Sequence, residues 1–242
     1  MKQQSRYQWP HVADGTALAA NSIPAFWVDP HWVLAWRHRT LEYHILQIAL
    51  RFPRNLLNNR ETLRHQKAVD PETGRILGYA RWRLPPSHKT NPDDGMLIWP
   101  EAQVPAVEPE KEAEIRRIAE TVVWDPNDDA DVLLDRVNAL EKEVTPKTPY
   151  MTLEYLAVHP DNQRKGVGRA LVKSGMDQAD KMGLDIFVHA LAEGAELYKR
   201  MGFRLIGELV QDDSAYGGSG VYGVYFFIYE PGGRTNSAKS TS

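Results

Sequence analysis

The stretch from Met151 to Gly183 constrains this chain more than any other. "MTLEYLAVHP" alternates along its length and ends at Pro160, which has no N–H to offer a ladder, so it reads as a strand. "GVGRALVKSGMDQADKMG" puts Leu171, Gly175, Ala179 and Met182 on one helical face and stops at Gly183. Between them, "QRKGVGR" sets three bases and two glycines where a strand hands over to a helix. There the first backbone N–H groups lack intrahelical partners, and the helix dipole is positive. Gly166 and Gly168 leave those amides bare, and Arg164, Lys165 and Arg169 add formal charge. The combination suits a phosphate or diphosphate. It also suits a glycine-eased turn with solvated bases, and the local spacing leaves both open.

Two well-known phosphate loops do not fit. A Walker loop needs Lys-Ser/Thr directly after its last glycine, and Lys173-Ser174 lies inside the helix. The dinucleotide fingerprint needs a third glycine where Leu171 stands.

The rest of the chain reads more coarsely. Residues 14–27 form a short helix with Asp14 as N-cap, broken near Pro24. A second helix covers part of 33–50 and a third 56–66. "KAVDPETGRILGYARWRL" is strand, turn, strand, with Pro71 and Gly74 supplying the turn. The proline-rich run from Pro85 to Pro149, with helices at 109–123 and 129–143, looks like an insertion in a domain spanning 1–230. After residue 150 the rhythm is regular. A strand follows Gly183, then a short helix to Gly202, then two strands. Residues 231–242 are expected to be a disordered tail.

Composition narrows the function. The 242 residues contain no cysteine, which excludes disulfides, thiolate metal sites and a cysteine nucleophile. A formal net charge of -3 argues against broad contact with nucleic acid. No run of eighteen apolar residues occurs and the start lacks a signal-peptide core, so a cytoplasmic protein without membrane contact is expected. From Glu101 to Thr145 there are thirteen acids against five bases, a solvated acidic region. His31, His38 and His44 lack the spacing of a helical metal pair, and no metal is expected.

"YLAVHPDNQRKGVGRALV" resembles the acetyl-CoA-binding motif of the GCN5-related N-acetyltransferase (GNAT) superfamily: an apolar strand, then Q/R-x-x-G-x-G/A, then a helix. Gln163, Gly166 and Gly168 fill it. "AELYKRMGFRLIGEL" resembles the superfamily's closing segment. Many members carry an asparagine before the Tyr-bearing helix, where this chain has Leu191-Ala192-Glu193. The resemblance implies an α/β (α+β) fold. Its sheet is mixed and mostly antiparallel, of six or seven strands with helices on both faces, and two central strands, 152–158 and 184–190, splay apart. It implies acetyl-CoA as co-substrate. Backbone groups of Leu156, Ala157 and Val158 would meet the pantetheine. The amides from Arg164 through Lys165, Gly166, Val167 and Gly168 to Arg169 would hold the diphosphate.

Acyl transfer to an amine needs a proton acceptor, a polarised carbonyl and a proton for the leaving thiolate. Without cysteine, direct attack in a ternary complex is expected. Glu154 is the candidate base: period-two alternation puts Thr152, Glu154, Leu156 and Val158 on one face, with a carboxylate among apolar neighbours. A glutamate paired with a surface Arg or Lys would read the same way. Tyr198, where the superfamily often places a tyrosine near the coenzyme sulfur, is the candidate acid, or else a core ring with a wet hydroxyl. His189 is a reserve base or a hydrogen-bonded core histidine. Trp27, Trp32, Trp36 and Tyr43 line an acceptor pocket or belong to the core. The acceptor and the oligomeric state are not legible. A coenzyme A-binding module without catalysis, or a protein-interaction domain, remains the alternative to an enzyme.

Overall fold

The computed structural model describes residues 6–233. One sheet runs in the order β1 (Arg6–Gln8), β2 (Leu63–Val69), β3 (Ile76–Arg83), β4 (Tyr150–Val158), β5 (Asp185–Leu191), β7 (Val221–Tyr229) and β6 (Arg204–Asp212). Every neighbouring pair is antiparallel except β4 and β5, which are parallel. The helices are α1 (Gly15–Trp27), α2 (Pro30–Val33), α3 (Leu41–Leu57), α4 (Pro109–Glu120), α5 (Asp131–Val144), α6 (Val167–Met182) and α7 (Ala192–Arg200). The expected mixed, mostly antiparallel sheet with helices on both faces is present, with seven strands among the described residues.

On one face α6 and α7 close a core built on Trp82, Met151, Leu171, Ile186, Tyr198 and Phe227. On the other, α1 and α3 bury Leu18, Ile48, Phe52 and Tyr79, and α5 sets Val137 against Phe187 and Phe226. The close approach of α6 has a specific origin. A Cβ at Gly175 would overlap the indole of Trp82, and one at Gly78 would stand 2.7 Å from Val167 Cγ1. The buried indole Nε1 donates to Gln66 Oε1 at 3.0 Å, and Gln66 Nε2 donates to Ser174 Oγ at 2.6 Å, which ties β2, β3 and α6 together.

Three local expectations are corrected. Helix α1 runs through Pro24 unbroken. Proline removes the hydrogen bond to Ala20, but Ala20 is exposed and water can serve its carbonyl. There is no helix over 56–66. Instead α3, capped where Thr40 Oγ1 accepts from Tyr43 N, carries the buried stripe His44, Ile48, Phe52 and Leu56 through Pro53, and β2 begins at Leu63. The strand hid because it buries Arg64, His65, Gln66 and Lys67. The Arg64 guanidinium is satisfied there by the carbonyls of Leu63 and Ile98. Finally, Leu156 and Val158 do not share a face with Glu154, because β4 bulges between them.

Residues 85–149 join the cores described above: Trp99 and Ala102 pack with Trp82, and Val104 and Ile115 with the α1–α3 layer. Pro231–Gly233 form a short 3₁₀ segment kinked at Gly232, where φ is 67°, and the rest of the expected tail lies outside the described residues.

Candidate active site

The site begins with a register shift. Arg81 lies opposite Tyr155 and Trp82 opposite Leu153, so the backbone of Glu154 has no register partner on β3. Such a bulge bends its strand and increases the local twist. The parallel ladder with β5 ends at the same level: Leu153 with Val188 is its last rung. Beyond it, Glu154 to Val158 on one side and His189 to Leu191 on the other diverge. This is the expected splay, opening at residue 154.

The bulge also sorts the side chains. Leu156 and Val158 turn toward α6 and α7. Tyr155 turns toward α1, where Phe26 meets its ring edge-on at 4.8 Å. Glu154 accepts from Arg81 Nε at 3.0 Å and, through its other oxygen, from Arg83 Nε. All of these except Ala157 line one open cleft of about 1110 Å³.

At one end of the cleft, β4 passes into the glycine loop. Gln163 Nε2 donates back to Val158 O at 3.4 Å, and Ala157 O accepts from Asn21. Arg164 and Gly166 both adopt positive φ, at 57° and 86°, which curls the loop just before α6. The N-terminal amides of α6, at Val167, Gly168 and Arg169, therefore face outward without helical partners. A Cβ at Gly166 would meet nothing within 4 Å; one at Gly168 would enter between Leu197 and Val158. Gln163, Arg164, Gly166, Val167, Gly168 and Arg169 line the cleft. Lys165 is exposed and does not line the cleft. Arg200, which the sequence did not single out, adds a third guanidinium. Bare amides at a helix start beside three guanidiniums fit a diphosphate.

Tyr198 comes from α7 and lies 4% exposed between Phe203 and Phe227, at 5.4 and 5.8 Å. Its hydroxyl has no hydrogen-bond partner among the described residues, and burial raises its pKa.

The other end of the cleft is the face of α1, α2 and α5. Phe26 and Trp32 form one wall. Of the expected aromatic quartet only Trp32 lines the cleft. Trp36 is buried against His44 and Trp124, Trp27 packs on Trp32 and His44, and Tyr43 lies under Arg39. Opposite the wall stand Phe187 and His189 of β5 with Glu141 of α5. The sequence reading missed Arg81, Arg83 and Glu141. Alternation in "ARWR" was the available signal for the arginines, since it places both on one side of β3. No group of three or more His, Asp or Glu side chains gathers as metal ligands among the described residues, and no helix there is long and apolar enough to cross a membrane.

Residues 128–205, from just before α5 to the start of β6, match the family model of the acetyltransferase (GNAT) domain. Over those residues the chain is similar to that acetyltransferase domain. The match takes in β4, the glycine loop, α6, β5 and α7, which line much of the cleft. Solved structures agree in fold. One, described as a histone acetyltransferase and related acetyltransferase from Corynebacterium glutamicum, has a TM-score of 0.53 at 19% identity, covering 94% of this chain and 96% of that one. A polyamine N-acetyltransferase from Drosophila melanogaster has a TM-score of 0.50 at 15% identity, covering 94% and 100%. An agmatine N-acetyltransferase has a TM-score of 0.53 at 16% identity, covering 93% and 99%. At such identities the likeness is one of fold.

Proposed function

We propose that this chain transfers an acetyl group from acetyl-CoA to a primary amine by direct attack in a ternary complex. The observation that carries the reading is the coincidence of two features. The β4–β5 opening leaves unpaired strand edge, and it leads straight to a helix start stripped of side chains and flanked by arginines. An extended amide-bearing arm ending in a diphosphate matches both.

In this reading the amides from Arg164 to Arg169 hold the diphosphate, helped by the Arg164, Arg169 and Arg200 side chains. Leu156 to Val158 lie along the pantetheine. The thioester then reaches the level of Glu154 and His189. Amine nitrogen attacks the carbonyl carbon, the C–N bond forms, the C–S bond breaks and the sulfur takes a proton. Tyr198 supplies that proton from a neutral phenol. Glu154, held by Arg81 and Arg83, keeps one face toward the cleft and meets the incoming ammonium.

Agmatine and polyamines belong among the candidate acceptors because structurally similar proteins bear those names. The acceptor end sets Glu154, Glu141 and Asp29 against Arg81 and Arg83, a nearly balanced charge, so monoamines belong beside them. The test is a panel of amines with acetyl-CoA, following free thiol. Amine-dependent thiol release with an N-acetylated product supports the reading. Coenzyme A binding without turnover of any amine would leave a binding module.

A further inference from the structure

We infer that His189, backed by Glu141 of helix α5, is the group that takes the proton from the acceptor amine. The inference rests on the acetyl-transfer reading and assigns a step within it.

Three observations lead there. The first is position. Val188 and Leu153 form the last rung of the parallel ladder, so His189 is the first β5 residue beyond it, as Glu154 is the first of β4. The two side chains flank the opening where the thioester would lie, and both line the cleft. The second is occupancy. Each carboxylate oxygen of Glu154 already accepts from a guanidinium. The imidazole of His189 has no hydrogen-bond partner among the described residues, and about two-fifths of the side chain is open to the cleft. The third is surroundings. Phe226 of β7 lies against the ring at 5.0 Å, and Glu141 Oε2 stands 4.0 Å from Nδ1.

That distance is too long for a direct hydrogen bond but short enough for a modest attraction once the ring is charged. Burial lowers the His189 pKa and raises that of Glu141. The imidazole is thus neutral at pH 7 and ready to accept, while the carboxylate stabilises the imidazolium as it forms. The other charged groups lining this part of the cleft are Glu154 with Arg81 and Arg83 across the opening, Asp29 on the wall of Phe26 and Trp32, and Glu193 at the start of α7. The proton balance closes. The ammonium gives one proton to His189 and, on attack, the nitrogen loses a second, which restores the phenol of Tyr198 after that phenol has protonated the sulfur. The sulfur gains one through Tyr198, and His189 returns the other to water. Helix α5 would then be part of the active site.

The test compares His189→Gln, Glu141→Gln and Glu154→Gln with the wild type, using acetyl-CoA and the fastest amine of the panel. His189→Gln is expected to lower kcat about 100-fold or more and abolish the ascending limb of the kcat/KM profile, with acetyl-CoA affinity unchanged. Glu141→Gln should move that limb to lower pH, because removing the anion disfavours the imidazolium. The histidine resonance assigned through His189→Gln should titrate lower by the same amount in NMR. A merely structural Glu141 would move neither. Glu154→Gln should raise KM for the amine and leave the limb in place. A second amine of different basicity separates the enzyme's limb from the acceptor's. Turnover and pH profile unchanged in His189→Gln would overturn the assignment alone. If His189→Gln does not fold, an unshifted limb in Glu141→Gln overturns it. Wild-type protein that binds coenzyme A yet acetylates no amine would overturn the acetyl-transfer reading, and the proton acceptor with it.

Discussion

Gly175 of α6 lies flush against the indole of Trp82, with no room for a Cβ between helix and strand. This contact sets how closely the helix that presents the glycine loop sits on the sheet.

Gly175→Ala should therefore destabilise the protein. Overpacking typically costs about 1–3 kcal/mol, and here the obstacle is a fully buried ring also held by Gln66. Urea unfolding of the purified variant measures the loss. Unchanged stability would mean that α6 can lift from Trp82.

The loop itself is tested by Gly166→Val. Its backbone sits at a φ of 86°, a region a β-branched residue adopts only with strain of about 1–3 kcal/mol. The side chain would meet open space, so the loop and not the core absorbs the change. Coenzyme A affinity by calorimetry should fall several-fold with the fold intact. Gly168→Val should weaken binding by another route, by wedging Leu197 from Val158 where the arm would enter. Equal affinity in all three proteins would remove the loop from the site.

Tyr198→Phe should reduce kcat at every accessible pH, by about 10²-fold or more if the phenol protonates the thiolate. The buried phenol has a pKa raised above its ordinary value of about 10, so it stays protonated throughout. Any descending limb below pH ~10 then belongs to another group. A tyrosine-dependent limb near neutrality would contradict the burial seen here.

Stability should fall in mild acid. Burial lowers the pKa of His44 from the usual 6.5 to about 4, and that of His65 to about 3. A histidine depressed in the folded state leaves the unfolded chain binding more protons, so stability is full above pH ~6.5 and declines as pH falls through the window. Between pH ~6.5 and ~5 ordinary carboxylates contribute little, which isolates the effect. Thermal melts at half-unit intervals should show a steady drop there, shallower in His44→Phe. A flat profile would show that neither ring is held neutral.

What the sequence made legible was local. Gln163 to Gly168 announced a strand-to-helix junction because glycines, bases and helix periodicity are contiguous. Gly74 and Gly183 marked ends that the structure confirms through positive φ at 71° and 65°. What it hid was tertiary. Strict alternation could not foresee a bulge at Glu154, so Leu156 was put on the wrong face. β2 looked helical or polar because Arg64, His65, Gln66 and Lys67 are buried by partners far along the chain. Glu141 gave no sign at all: only the docking of α5 beside β5 brings it to His189.

Among the described residues, four rungs, Tyr150 to Leu153 against Asp185 to Val188, are the only ladder pairs that join strands β1–β4 to strands β5–β7. The sheet is in effect two plates meeting at a short seam, with α6 as the strap across it. A ligand whose amides completed the missing rungs would act as mortar and not merely as cargo. It would stiffen the joint and slow hydrogen exchange from Glu154 to Val158 and from His189 to Leu191. It would also raise the melting temperature with its own concentration.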